Sequence, residues 1–270
     1  MVFLTLIRRQ LRDSRWSIAL ASLAFFGLSI LTAWRISVVQ QGEGIGPRGM
    51  GFFRVLGGSS WDGSTLALQV AWWNHPIVVL TVLGWGITRA ASAVSGEIER
   101  GTLDLTLSRP VSRWSYLGAQ IVATILILLM LVLALIAGNL ISTLVFRLED
   151  PPGLRAFLWP GAMVLALGLS VFGYTLPLSA ADVIRRRPSI IAMAVTLGGL
   201  VALSIAAQFE DYQEILERLS VFACYAPVTA AIEPGEDIAF NLGVLAGVFA
   251  LGCAAAFVAF LRRDLPTSAG

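Results

Sequence analysis

The 270-residue sequence contains no lysine, one histidine and two cysteines, and only 13% of its residues are charged. Each shortage removes a class of chemistry. Without lysine there is no phosphate-binding loop of the Gly-x-x-x-x-Gly-Lys-Ser/Thr kind, so ATP is not hydrolysed by that route. The single His75 cannot assemble a zinc cluster. A Ser–His intramembrane enzyme would have to rest on it with no companion motif; it reads better as a cap ahead of Pro76. Cys224 and Cys253 lie far apart, the second in the middle of an apolar run, so no disulfide is expected. Gly44 to Gly49 has the G-x-G-x-x-G spacing, but it contains Pro47 and lacks a βαβ setting, so it is not read as a dinucleotide site. No cofactor, metal or nucleic-acid partner is expected.

What the chain has in abundance is apolar sequence, 57% of residues with a mean hydropathy of +0.79. An ordinary soluble domain is about a quarter charged. The charges cluster between long gaps: 19 uncharged residues separate Arg15 from Arg35, 26 separate Asp62 from Arg89, and 33 separate Arg113 from Arg147. Three further gaps follow Arg155, Arg187 and Asp237. A helix needs about 20 residues to cross the hydrocarbon, and a soluble helix would place charge on its wet face at every third or fourth position. The sequence predicts an all-α integral membrane fold with six spans, at roughly 16–37, 72–94, 115–145, 157–181, 189–209 and 238–261. They form one transmembrane domain over 1–270. Trp72, Trp73 and Trp159 suit interfacial belts.

Six spans divide the 19 arginines into 13 on one side and 6 on the other. The positive-inside bias puts the larger set, with both termini, in the cytoplasm. Residues 1–15 read as a short amphipathic helix at the inner interface, with Phe3, Leu4, Ile7 and Leu11 on one side and arginines on the other. A plain positive flank of the first span fits equally well. The span interiors hold essentially no ionisable residue, which leaves ion-coupled transport without its usual groups. Gly243 and Gly247 form a G-x-x-x-G in the sixth span, and Gly168, Gly173 and Pro177 punctuate the fourth. Between spans five and six, Tyr212, Ile215, Leu219 and Phe222 recur at helical spacing, as in an amphipathic cap over the outer mouth.

The most informative stretch runs from Ser95 to Gln120. Thr102 is placed to cap a short helix containing Leu103, Leu105 and Leu107, with Asp104 in its first turn. Ser108-Arg109-Pro110 ends it. On the residues alone, a partner-binding helix and a solvated connecting loop fit equally well.

The strings Gly96-Glu97-Ile98-Glu99-Arg100-Gly101-Thr102-Leu103 and Leu107-Ser108-Arg109-Pro110-Val111-Ser112-Arg113 resemble the signature of ABC-2-type transporter permeases. The nearest resemblance is to the subfamily holding the permease of the nitrous-oxide-reductase maturation system. It extends to the layout of the whole chain: an N-terminal interfacial helix, six spans and a large first outer loop. The resemblance implies a membrane permease subunit of an ATP-binding-cassette transporter, an exporter of the bacterial inner membrane. It would work as a homodimer or with a homologous permease, in contact with membrane lipid. ATP would be bound by a separate cytoplasmic ATPase subunit. The segment after span two would be the coupling helix, with Glu97, Glu99, Arg100, Thr102, Leu103, Asp104 and Arg109 meeting that ATPase. Asp182 and Arg185 to Arg187 form a second inner loop, read as a stop signal more readily than as a partner contact. Five Met, two Cys and one His are too few and scattered to support copper as cargo. A non-transporting membrane anchor that recruits a cytoplasmic protein is the rival reading.

Overall fold

The computed structural model describes residues 2–41, 64–108, 111–206 and 220–263, and no strand occurs among them. Helix α1 (Val2–Asp13) is followed, after the single break at Ser14, by α2 (Arg15–Gln40). The amphipathic reading of α1 holds. Ile7 is buried against Ala119 and Ala123, with Leu6 and Leu11 beside it, while Leu4 stays exposed.

Between the first two spans, in residues that the sequence assigned to no element, lies a further helix, α3 (Thr65–Ala71). Ser64 starts it by accepting the Ala67 N–H at 3.1 Å, and Ala67 to Ala71 are all buried. A tight turn, Trp72–Asn74, then leads to α4 (Pro76–Ala93). Pro76 suits the first helical position because no intrahelical partner is needed there, and His75 Nδ1 accepts the Ile77 N–H at 3.2 Å. The second span therefore begins at Pro76, not residue 72. The interfacial role expected of Trp73 is also corrected. It is 1% exposed and stacks on Phe157 at 5.9 Å, because it packs into the cluster that holds Phe25, Val78 and Leu135. Trp159, in contrast, is exposed.

Two short helices, α5 (Ser95–Glu99) and α6 (Thr102–Leu107), precede the long α7 (Arg113–Phe146). At about 1.5 Å per residue, the 34 residues of α7 exceed the hydrocarbon thickness, so the helix tilts or projects. A turn at Leu154–Phe157 opens α8 (Leu158–Ala181), followed by α9 (Arg186–Ala206), α10 (Pro227–Ile232) and α11 (Glu236–Arg262). Six of these helices, α2, α4, α7, α8 with its opening turn, α9 and α11, are long and apolar enough to cross a membrane.

Helix α8 is the centre of the bundle, and small residues let its neighbours approach closely. A Cβ on Gly86 of α4 would lie 2.8 Å from the Gly168 carbonyl oxygen, and one on Gly173 would lie 2.5 Å from Cα of Phe249 on α11. On the other flank, a Cβ on Gly138 of α7 would meet Ser29 of α2 at 2.9 Å. Helices α9 and α11 keep apolar side chains on the outside, among them Ile190, Met193, Val201, Phe240 and Leu251. A helix that is apolar on its exposed face belongs in lipid. Among the described residues nothing lies within 4 Å of a Cβ on Gly243 or Gly247, so this G-x-x-x-G packs on no other part of the described protein.

Hydrogen bonds mark the two ends of the bundle. At one end Arg89 donates to Ser14 Oγ and Gln10 Oε1, and Arg113 donates to the carbonyls of Phe260 and Arg263. This arginine-rich end gathers α1, the α5–α6 segment, the turn after α8 and the end of α11. At the far end, Gln40 Nε2 donates to Thr65 Oγ1, which donates to the Glu149 carbonyl, and Tyr225 OH donates to the Trp73 carbonyl. Phe222 is buried beside Leu83 and Val171. Tyr212, Ile215 and Leu219, expected in an outer cap with it, lie outside the described residues, as do Gly44 to Gly49.

Candidate functional site

The α5–α6 segment begins where α4 fails. Val94 leaves helical geometry at φ −123° and ψ −65°, which redirects the chain into α5. Gly101 then takes a left-handed conformation, φ +68°, where a side chain would be strained and glycine is not. That turn reverses the chain into α6. Gly101 occupies the N-cap position, with no side chain to cap the helix. Thr102 was expected to be the cap; it is instead the first helical residue.

Thr102 has another task. Its hydroxyl donates to Glu97 Oε2 at 2.6 Å, while Arg100 pairs with Oε1 of the same carboxylate. Glu97 thereby clasps both sides of the Gly101 turn. The Glu99 carboxylate accepts the backbone N–H of Arg185 at 3.0 Å, which fastens the segment to the turn after α8. Leu103 is 1% exposed, packed with Ala90, Ala93, Tyr116 and Leu117. Beneath it Tyr116 OH donates to the Ala93 carbonyl at 2.7 Å and accepts from Gln120 Nε2.

Of the residues expected to meet a partner, then, Glu97, Glu99, Thr102 and Leu103 are engaged within the chain. Asp104 is exposed, Arg100 keeps about half of its side chain in solvent, and Arg109 lies outside the described residues. The most exposed apolar group on α6 is Leu105, at 69%. Sequence reasoning placed it in the helix but not in the site. The available signal was angular. At about 100° per residue, Leu105 stands about 200° from Leu103, so burial of one sends the other outward.

The turn after α8 adds a second ordered element. Asp182 Oδ1 accepts the N–H groups of Val183 and Ile184 at 2.7 and 3.0 Å, and Arg263 donates to the carbonyls of Ala180 and Asp182. The Ile184 N–H, then the Val183 N–H and Arg187, hold the Asp182 carboxyl below its ordinary value. A depressed carboxylate pKa contributes stability above the unfolded value, near 4, which is lost as the pH falls through the folded value. Amide exchange at Val183 and Ile184 is therefore expected to rise as the pH is lowered from 5 through the acid range, relative to the intrinsic rate. Asp182→Asn, which keeps an acceptor but cannot ionise, is expected to remove that dependence.

A second feature carries no charge and left no mark in the charge pattern of the sequence. Asn139 Nδ2 donates to Ser29 Oγ at 3.1 Å, and Gln69 Nε2 donates to Thr143 Oγ1 at 2.9 Å, both in the buried interior. These uncharged bonds join α2, α3 and α7. In hydrocarbon the alternative is an unpaired amide donor; both amide nitrogens are paired, while Gln69 Oε1 has no partner among the described residues.

A family model described as ABC-2 family transporter protein matches residues 11–265, nearly the whole chain. No curated protein matches.

Proposed function

The chain belongs to the ABC-2 family of transporter proteins, and from that premise we propose that it is the permease subunit of an ATP-driven exporter, docked through α6 on a separate ATPase subunit. The arginine-rich end faces the cytoplasm under the positive-inside bias, with both termini, in the inner membrane of a bacterium. The observation that carries the reading is the tip of α6. Leu105 and Asp104 project from a segment otherwise clasped to its own bundle. An apolar anchor beside a charge, held by a rigid support, suits a protein partner. ATP is bound by that partner, since this chain has no lysine for a phosphate loop.

The assembly holds two permease copies, or one copy and a homologue. The unpacked Gly243–Gly247 stripe on α11 supports this, because small residues on a lipid-facing helix permit close approach by a second helix. Movement of α6 on ATP binding would shift the bundle between inward- and outward-facing states.

The test is purification in lipid nanodiscs with an ATPase subunit that carries the phosphate-loop lysine. A stable complex is expected, with an ATPase rate that changes when Asp104 is replaced by Arg. A chain that associates with no such ATPase would contradict the proposal.

A further inference from the structure

The break at Val94 poses a problem of satisfaction. Where α4 stops and α5 starts, the N–H groups of Val94 and Ser95 both turn to one acceptor, Ser179 Oγ on α8, at 3.3 and 3.1 Å. The carbonyl of Ala91 receives hydroxyls from both Ser95, at 2.8 Å, and Ser179, at 3.1 Å. The two hydroxyl oxygens are themselves 3.1 Å apart. Both serines are 0% exposed, so no water replaces either partner. One side chain, 84 residues away in sequence, completes the turn that α4 leaves open.

The position of Ser179 on α8 gives this contact its reach. It follows Pro177, which has no N–H and so frees the carbonyl four residues back, that of Gly173. Gly173 is where α8 meets α11. A Cβ on Gly252 would overlap the Gly173 carbonyl, so the Gly252 Cα–H that takes its place is directed at that oxygen. The break in α4, the staple from Ser179 and the contact with α11 are therefore consecutive features along α8.

We propose that Ser179 is a positioning residue that makes the break at Val94 a defined pivot, so that displacement of α6 is passed to α8 and is not absorbed by local unwinding. This rests on the reading of α6 as the ATPase-docking element. A broken helix with free N–H groups is a soft joint, because its residues can fray without losing any bond. The same break bonded to a neighbouring span has one low-energy geometry, and moving it requires moving α8. The clasp at Glu97 and the tie from Glu99 to Arg185 stiffen the segment beyond the break, so the pivot is the place where motion is either transmitted or lost.

The experiment uses the full chain in lipid nanodiscs, alone and in complex with its ATPase subunit. Hydrogen exchange is read at two places: the amides of Val94 and Ser95, and the far end of α8, residues 158–165. In the chain alone, Ser179→Ala is expected to raise exchange at Val94 and Ser95 about tenfold or more, because local opening no longer breaks those bonds. In the complex, MgATP is expected to change exchange at 158–165 in the wild type. In Ser179→Ala that change is expected to vanish while ATP turnover stays within about twofold, since the active site lies in the other subunit. Ser179→Thr, which retains the hydroxyl, restores the far-end response. If Ser179→Ala fails to fold, Ser179→Cys takes its place. It is close in size and a poor acceptor, and is expected to show the same loss.

Unchanged exchange at Val94 and Ser95 in Ser179→Ala would overturn the staple. A far-end response that survives it would overturn the transmission. A wild-type chain that binds no ATPase overturns the docking role of α6 and with it the transmission, while the exchange measurement on the chain alone still decides whether Ser179 holds the break.

Discussion

Replacing Gly252 by Ala is expected to prevent the last span from packing, with a loss of about 3 kcal/mol or more, at or beyond the upper end of ordinary overpacking. The added methyl would overlap the backbone carbonyl of Gly173, and nothing at the end of a flexible side chain is available to give way. The reciprocal site agrees, since a Cβ on Gly173 would lie 2.5 Å from Cα and 3.0 Å from the carbonyl oxygen of Phe249. Relief requires separating the two helices along their length, which would loosen Cys253, Ala256 and Phe260 from the cluster they share with Leu176 and Ala180. Gly198→Ala on α9 is the control. Its Cβ enters open space, and helix propensity alone gives a gain of roughly 0.5–1 kcal/mol. The check is the fraction of monodisperse protein that survives a temperature series in detergent. Gly252→Ala should lose monodispersity at much lower temperature than wild type, and Gly198→Ala should match or exceed it.

The second large effect is expected at the tip of α6, where Leu105→Glu should abolish productive contact with the ATPase without harm to the fold. Leu105 is 69% exposed, so its replacement removes little intramolecular packing, and surface changes of this kind usually stay within about 0.5 kcal/mol. An apolar anchor buried at an interface is worth about 2 kcal/mol or more on truncation, which corresponds to a roughly 30-fold weaker complex. A carboxylate desolvated in its place costs more. Leu103→Ala separates the two roles. At 1% exposure Leu103 supports the segment from within, and its loss should cost about 2–5 kcal/mol of stability. Affinity measured by titration of the ATPase subunit, alongside thermal survival, distinguishes them. Leu105→Glu should change only the first, and Leu103→Ala chiefly the second.

The contrast between these two leucines shows what the sequence carries and where it stops. The six long helices were legible because charge is expensive in hydrocarbon, and its exclusion leaves gaps that can be counted along the chain. The N-terminal amphipathic helix and the short helix at Thr102–Leu107 were legible for the same local reason, since spacing and turn residues act within a few positions. What was not legible depends on partners remote in sequence. Trp73 resembles an interfacial anchor until Phe157, 84 positions on, is found stacked against it. Residues 65–71 gave no sequence signal because α3 is short and owes its place to burial, not to amphipathic spacing. Glu97 and Glu99 share a charge and a neighbourhood, yet one closes a local turn and the other holds the backbone at Arg185. Their carboxylates were expected to face a partner only because the resemblance to ABC-2 permeases implies a coupling helix at this position. On the same segment Asp104 and Leu105 are the side chains left exposed.

Everything proposed for α6 depends on which side of the membrane it occupies, and cysteine labelling of Ser108 reads that most directly. Ser108 is exposed at the end of α6, Cys253 is buried, and Cys224 can be replaced by Ser to clear the background. The account predicts that Ser108→Cys reacts with a membrane-impermeant maleimide in inverted vesicles and is protected in right-side-out ones. Glu149→Cys at the far end should behave in the opposite way. Labelling of Ser108→Cys from the outside would put the segment out of reach of any cytoplasmic ATPase, and the coupling function would fall with the topology.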